Sequence, residues 1–103
     1  MQFTIPGPLK NNIYNLLRDA GYHFQREEKV AAKTEYSFTR PKNGFPRFHI
    51  YAKISGNDLL VNLHLDQKKP VYEGVTAHSG DYDEPVVKRE MERIIQALEN
   101  SGQ

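Results

Sequence analysis

Imidazole, carboxylate, phenol and guanidinium groups recur at alternate positions in two neighbouring stretches of this chain. Arg47, His49, Tyr51 and Lys53 alternate with Phe48, Ile50, Ala52 and Ile54. Leu60, Asn62, His64 and Asp66 alternate with Leu59, Val61, Leu63 and Leu65. A period of two is strand spacing, with one set of side chains on each face. Two histidines and a carboxylate form the ligand set of an open zinc or iron site. His49, His64 and Asp66 are therefore candidate ligands for a divalent metal, zinc. Tyr51 is then an acid or substrate contact in a small metal-dependent hydrolase or lyase. Without a metal, Arg47, His49, Tyr51, Asn62, His64 and Asp66 make a binding platform.

The elements that would position these groups follow from turn chemistry. Gly56-Asn57 predicts a two-residue hairpin loop that pairs Ser55 with Asp58. Counting back, Ile54 meets Leu59, Ala52 meets Val61, Ile50 meets Leu63 and Phe48 meets Leu65. On the other face Lys53 meets Leu60, Tyr51 meets Asn62, His49 meets His64 and Arg47 meets Asp66. Directly opposed residues have Cβ atoms ~4.5–5.5 Å apart. A register two residues away would place His49 opposite Asp66 and Tyr51 opposite His64, with the faces unchanged.

Further short alternating runs surround Tyr22–Phe24 and Tyr36–Phe38, and Phe3 with Ile5 predicts a short strand. Val71, Val75 and Ala77 suggest a weaker strand returning beside 59–66, which sets Tyr72 opposite His64. The face of Tyr36 and Phe38 depends on the loop at 41–45. An odd-length loop puts them under the helices; a two-residue Asn43-Gly44 loop puts them beside His49 and Tyr51. Leu9, Ile13, Leu16, Leu17 and Ala20 make a helical stripe, with Pro8 in its first turn and Gly21 at its end. Val87, Met91, Ile94, Ile95 and Leu98 make another, started by Asp83 or Glu84 with Pro85 near the first turn. Its opposite face, Lys88, Arg89, Glu92, Arg93 and Gln96, reads as solvated. These elements predict one α+β domain over 1–103. It is an antiparallel meander of four or five strands with both helices on one face and the other face open.

The 78–84 segment, His78-Ser79-Gly80-Asp81-Tyr82-Asp83-Glu84, reads as a polar loop before the last helix. His78, Ser79 and Asp81 are its candidate binding residues. His78 lies about six residues along the sheet from His64, roughly 20 Å at ~3.3 Å per residue, too far for a shared metal site if 71–77 forms a simple hairpin. Ser79 beside His78 is not a nucleophile–base pair. Arg40, Lys42, Arg47 and Lys53, with Phe45, Phe48 and Tyr51 interleaved and Lys68 and Lys69 nearby, suggest a surface for single-stranded nucleic acid.

Two resemblances bear on these residues. The element order is similar to helix-grip folds, including one half of the TATA-binding protein, on order alone. The run His64-Leu65-Asp66, Lys68-Lys69-Pro70 and His78-Ser79-Gly80-Asp81-Tyr82-Asp83 resembles a family of small hypothetical bacterial proteins over about the C-terminal half. That resemblance implies no catalytic residue.

Composition narrows the function classes. The chain has 103 residues, net charge +1 and no cysteine, with 38% hydrophobic and 26% charged residues. A strongly basic nucleic-acid coat, disulfides, thiol chemistry and cysteine zinc fingers are excluded. No apolar run reaches membrane-spanning length, and MQFTIPGPLK lacks a signal layout, so the expectation is a cytoplasmic protein. The leading expectation is a non-enzymatic binding module that takes a protein, peptide or small molecule on the open sheet face and the 78–84 loop. A homodimer through a face bearing Tyr51 and Leu60 is one form of it.

Overall fold

The computed structural model describes residues 1–67 and 79–100, with the backbone path alone for 79–83. Its elements are β1 (Gln2–Ile5), α1 (Ile13–Asp19), β2 (His23–Val30), β3 (Lys33–Arg40), β4 (Arg47–Ser55), β5 (Asp58–Asp66) and α2 (Ser79–Asn100). The five strands form one open antiparallel sheet in the order β1-β5-β4-β3-β2. This is an α+β fold with a C-terminal helix.

The β4–β5 hairpin has the register that its turn predicts, from Ser55 opposite Asp58 to His49 opposite His64 and Arg47 opposite Asp66. Gly56 supplies the positive φ, +60°, that a tight hairpin turn needs at its first central position. The turn is braced from outside. The Gly7 N–H donates to Asp58 Oδ1 at 2.8 Å, and a Cβ on Gly7 would lie 1.6 Å from the Asn57 carbonyl oxygen. Only glycine lets these two backbone segments approach so closely.

Between Arg40 and its partner Phe48 the β3–β4 connection has odd length, and Phe38 pairs with Ile50. Tyr36 and Phe38 therefore lie on the helix-covered face. The same parity turns Ser37 and Thr39 toward His49. One face of the sheet, with Phe38, Ile50, Ala52, Leu59, Val61 and Leu63, forms a single buried core with Ile13, Leu16 and Leu17 of α1 and Val87, Ile94 and Leu98 of α2. Each such fully buried side chain contributes roughly 1.5–3 kcal/mol of burial free energy. Tyr14 of α1 adds edge-on contacts to Phe24 and Tyr36, at 5.1 and 5.8 Å between ring centres.

Three expectations change. The first helix starts at Ile13 and not at Pro8, because the Asn12 side chain caps it by accepting from the Asn15 N–H. Leu9 reaches the core from the segment before it. The helix does end at Gly21, with φ +93°. The Gly21 and Tyr22 N–H groups close back on Arg18 and Leu17, a Schellman ending. The second helix starts at Ser79, so Ser79–Glu84 are its first turns and not a loop, and Pro85 lies inside it. The short strand expected at Phe3 and Ile5 is β1, seated beside β5. The strand expected at 71–77, with Tyr72, and also His78, Lys68 and Lys69, lie outside the described residues. Finally, β2 and β3 run on to Val30 and Lys33 and join through Ala31-Ala32, both at positive φ, a turn that no turn-forming residue announces.

The apolar stripe of α2 carries a buried polar network, which Arg93 joins from the face expected to be solvated, while Lys88, Arg89, Glu92 and Gln96 there are exposed. Glu90 is 5% exposed. Its carboxylate accepts from the Tyr22 hydroxyl at 2.7 Å, from Arg40 at 3.1 Å and from Arg93 through two bonds of 2.7 and 2.9 Å. Arg93 also donates to the Ala20 carbonyl at 2.6 Å. The clamp joins α2 to β3 and to the end of α1. Burial disfavours the Glu90 charge, but the hydrogen bonds from Arg93 and Tyr22 outweigh it and hold the carboxyl below the usual glutamate range. Burial, then the bond to Glu90, pushes the Tyr22 hydroxyl far up.

Candidate functional site

The face opposite the helices gathers Ser37 and Thr39 from β3, Arg47, His49, Tyr51 and Lys53 from β4, and Leu60, Asn62, His64 and Asp66 from β5. Strand pleat puts them there: every residue opposed to one of the set shares its side of the sheet. Six of the residues singled out from sequence are thus brought together: Arg47, His49, Tyr51, Asn62, His64 and Asp66. Asp81 and Ser79 lie on the first turns of α2.

The face divides into two parts. In the first, the polar groups satisfy one another. Ser37 Oγ lies 2.5 Å from His49 Nε2, and His49 Nδ1 lies 3.0 Å from Asp66 Oδ2. An ionised carboxylate only accepts, so Nδ1 carries the hydrogen, and in the neutral imidazole Nε2 then accepts from the serine hydroxyl. Arg47 Nε donates to the same Asp66 oxygen at 3.3 Å, and its guanidinium lies 4.6 Å from the centre of the Phe45 ring. Gln25 donates to Thr39 at 2.7 Å. The His49 ring stacks on Tyr51 with centres 4.2 Å apart and planes 22° apart.

The Ser–His–Asp connectivity is that of a hydrolytic triad, but its burial runs the wrong way. Ser37 is 4% exposed and His49 8%, whereas the Asp66 side chain is 33% exposed. A nucleophile must face the substrate while the carboxylate lies behind. Here the carboxylate faces solvent and the hydroxyl is covered. The chain of bonds locks the His49 ring from both nitrogens and so fixes the surface on which Tyr51 rests.

The same geometry bears on a metal at His49, His64 and Asp66. Among the described residues no three His, Asp or Glu side chains converge on a point where an ion could sit. Both His49 nitrogens are engaged, and His64 meets the edge of Tyr51 at 5.8 Å between ring centres. The nucleic-acid rim is also largely neutralised. Arg40 pairs with Glu90 on the core side, Arg47 with Asp66, and Lys53 with Glu35 at 3.7 Å.

The second part of the face offers hydrogen-bonding groups that the described residues leave unused. Among the described residues, nothing bonds to the Tyr51 hydroxyl, to the side-chain amides of Asn62 and Gln2, or to the His64 ring nitrogens. Gln2 and Asn62 are directly opposed in the β1–β5 register. Partial burial, then the positive Met1 amino group, hold His64 below the ordinary histidine value, so its imidazole is neutral near pH 7. A hollow of about 440 Å³ opens here, lined by Gln2, Glu35, Tyr51, Lys53, Leu60 and Asn62 among others. That lies within the ~300–1,000 Å³ of small-molecule sites. A second cavity, of about 190 Å³ between the 5–9 segment and the end of α2, is smaller and mostly apolar. At its rim Lys10 already donates to the Glu99 carbonyl. The hollow on the sheet is the better site because free polar groups converge on it.

Gln2, Glu35 and Ser37 were missed from sequence. Ser37 was within reach through the odd-loop alternative, which carries it to the His49 face. Gln2 depends on β1 crossing to the far edge of the sheet, which nothing local dictates. Glu90 had a signal: it stands three residues after Val87 and four before Ile94, on the apolar stripe itself. No helix among the described residues is long and apolar enough to cross a membrane. Compared with known proteins, the chain matches no family model, no curated protein and no solved structure.

Proposed function

We propose that this protein is a non-enzymatic binding module that takes a small molecule or a short peptide on its open sheet face. One observation carries this reading: the groups of Tyr51, Asn62 and Gln2, unbonded among the described residues, border one hollow, with His64 against the Tyr51 ring and neighbours that are locked by internal bonds. A rigid, internally satisfied support under a few free polar groups is what a preorganised binding site requires. The order of the elements supports a helix-grip-like relationship.

The test is a small-molecule and peptide screen on isotope-labelled protein, read by NMR. The expected result is a set of compounds that shift the Tyr51, Asn62 and His64 signals together. A library that moves none of them, or only signals around the 190 Å³ cavity, would sink the proposal. Self-association through Tyr51 and Leu60 is the competing use of this face, and it shifts the same signals with protein concentration alone.

A further inference from the structure

The hollow includes Tyr51 and Lys53 but not His49. His49 already covers one side of the phenol ring by stacking. The hollow takes in Tyr51 with Lys53 and Asn62, the neighbours away from His49, so the ring face that His49 does not cover is the one a flat partner would use. Beside that face stand two carboxamides, Gln2 and Asn62, opposed across β1 and β5 and bonded to nothing among the described residues. Each carboxamide carries a donor and an acceptor, the pair that reads the edge of a base with adjacent donor and acceptor. Leu60 gives an apolar wall. The formal charges of the hollow, Lys53 and Glu35, lie 3.7 Å apart and offset each other, so the hollow suits a ligand without net charge.

Resting on the binding-module reading, we propose that the ligand is a nucleobase. It stacks on the free face of Tyr51, and the Asn62 and Gln2 amides hydrogen-bond its edge. Because Lys53 and Arg47 are both ion-paired, the base comes as a free base or nucleoside and not as part of a polyanionic strand. The Ser37–His49–Asp66 chain then acts at one remove: it holds the ring against which Tyr51 is pressed by the ligand.

The experiment is an NMR titration of the whole protein with adenosine, guanosine, cytidine and uridine, and with a mixed single-stranded oligonucleotide at low and high salt. At least one nucleoside is expected to shift the Tyr51 ring and both side-chain amide signals. Asn62→Leu, with its backbone spectrum intact, is expected to weaken that binding about 10-fold or more, the size of one lost two-point base contact. Asn62→Gln, which keeps the amide, is expected to retain part of it. Nucleosides that shift nothing, while other compounds still move these signals, overturn the nucleobase and leave the binding module standing. If no compound of any kind moves them, both readings fall. An oligonucleotide that binds far more tightly than any nucleoside, with steep loss in salt, overturns the free-nucleoside form.

Discussion

A serine hydroxyl becomes a nucleophile when a base takes its proton and a substrate carbonyl can reach its oxygen. Ser37 meets the first condition through His49 and fails the second, since the residue is covered and the carboxylate end of the chain faces water. A fluorophosphonate probe is accordingly expected to leave Ser37 unmodified in the folded protein, as read by mass spectrometry; stoichiometric labelling there would restore the hydrolase reading. Ser37→Ala is expected to cost about 1 kcal/mol, the usual net value of a hydrogen bond, in a urea titration. The sequence shows each of these side chains but not their alliance. Which residue caps His49 Nε2 is set by the parity of a loop some residues away, and the Lys42-Asn43-Gly44 string fits either parity. The His49–His64 opposition was legible because an apolar partner for every apolar residue leaves little choice of register.

At the scale of elements, hairpins split into those whose turns carry their own chemistry and one whose turn does not. Gly56-Asn57 announces the β4–β5 turn. Ala31-Ala32 announces nothing, yet both residues sit at φ +51° and +67°. An L-residue with a Cβ pays for this region, at roughly 1–2 kcal/mol each. The exchange Ala31→Asn with Ala32→Gly, the preferred pair for such a turn, is therefore expected to stabilise the fold by about 1 kcal/mol. In thermal unfolding this is a rise of roughly 4–8 °C for a domain of this size. An unchanged or lower midpoint would show that the turn does not resist its own geometry. The charged run Arg26-Glu27-Glu28-Lys29 hid β2 for a related reason. It is an edge strand exposed along its whole length, where charge discourages pairing with other chains and no alternation of apolar residues is needed.

For the molecule as a whole, the Glu90 clamp is, among the described residues, the ionic tie that runs between α2, β3 and the end of α1. Its carboxyl lies below the unfolded glutamate value of about 4.5. A depressed acid adds stability that is present above the unfolded value and is lost as pH falls through the folded one. Unfolding free energy is expected to decline below about pH 4.5, and Glu90→Gln should flatten that part of the decline. The same variant should destabilise the protein at neutral pH by about 1–3 kcal/mol, because Arg93 and Arg40 lose a charged hydrogen-bond partner but, partly exposed, keep access to water. Equal acid slopes in both proteins, measured by denaturant titration across pH 3–7, would contradict this role. The fold class was legible because helical and strand periods are local signals. The clamp was not, since Tyr22 and Glu90 are 68 residues apart. The position of β1 belongs with the clamp, and it has a consequence for how the chain assembles. Strands β2 to β5 can zip up in order, each onto the one before it. β1 must wait, because its neighbour among the described residues, β5, ends at Asp66. β1 therefore leaves the ribosome well before its partner β5, and its docking is the long-range step in assembling the described sheet.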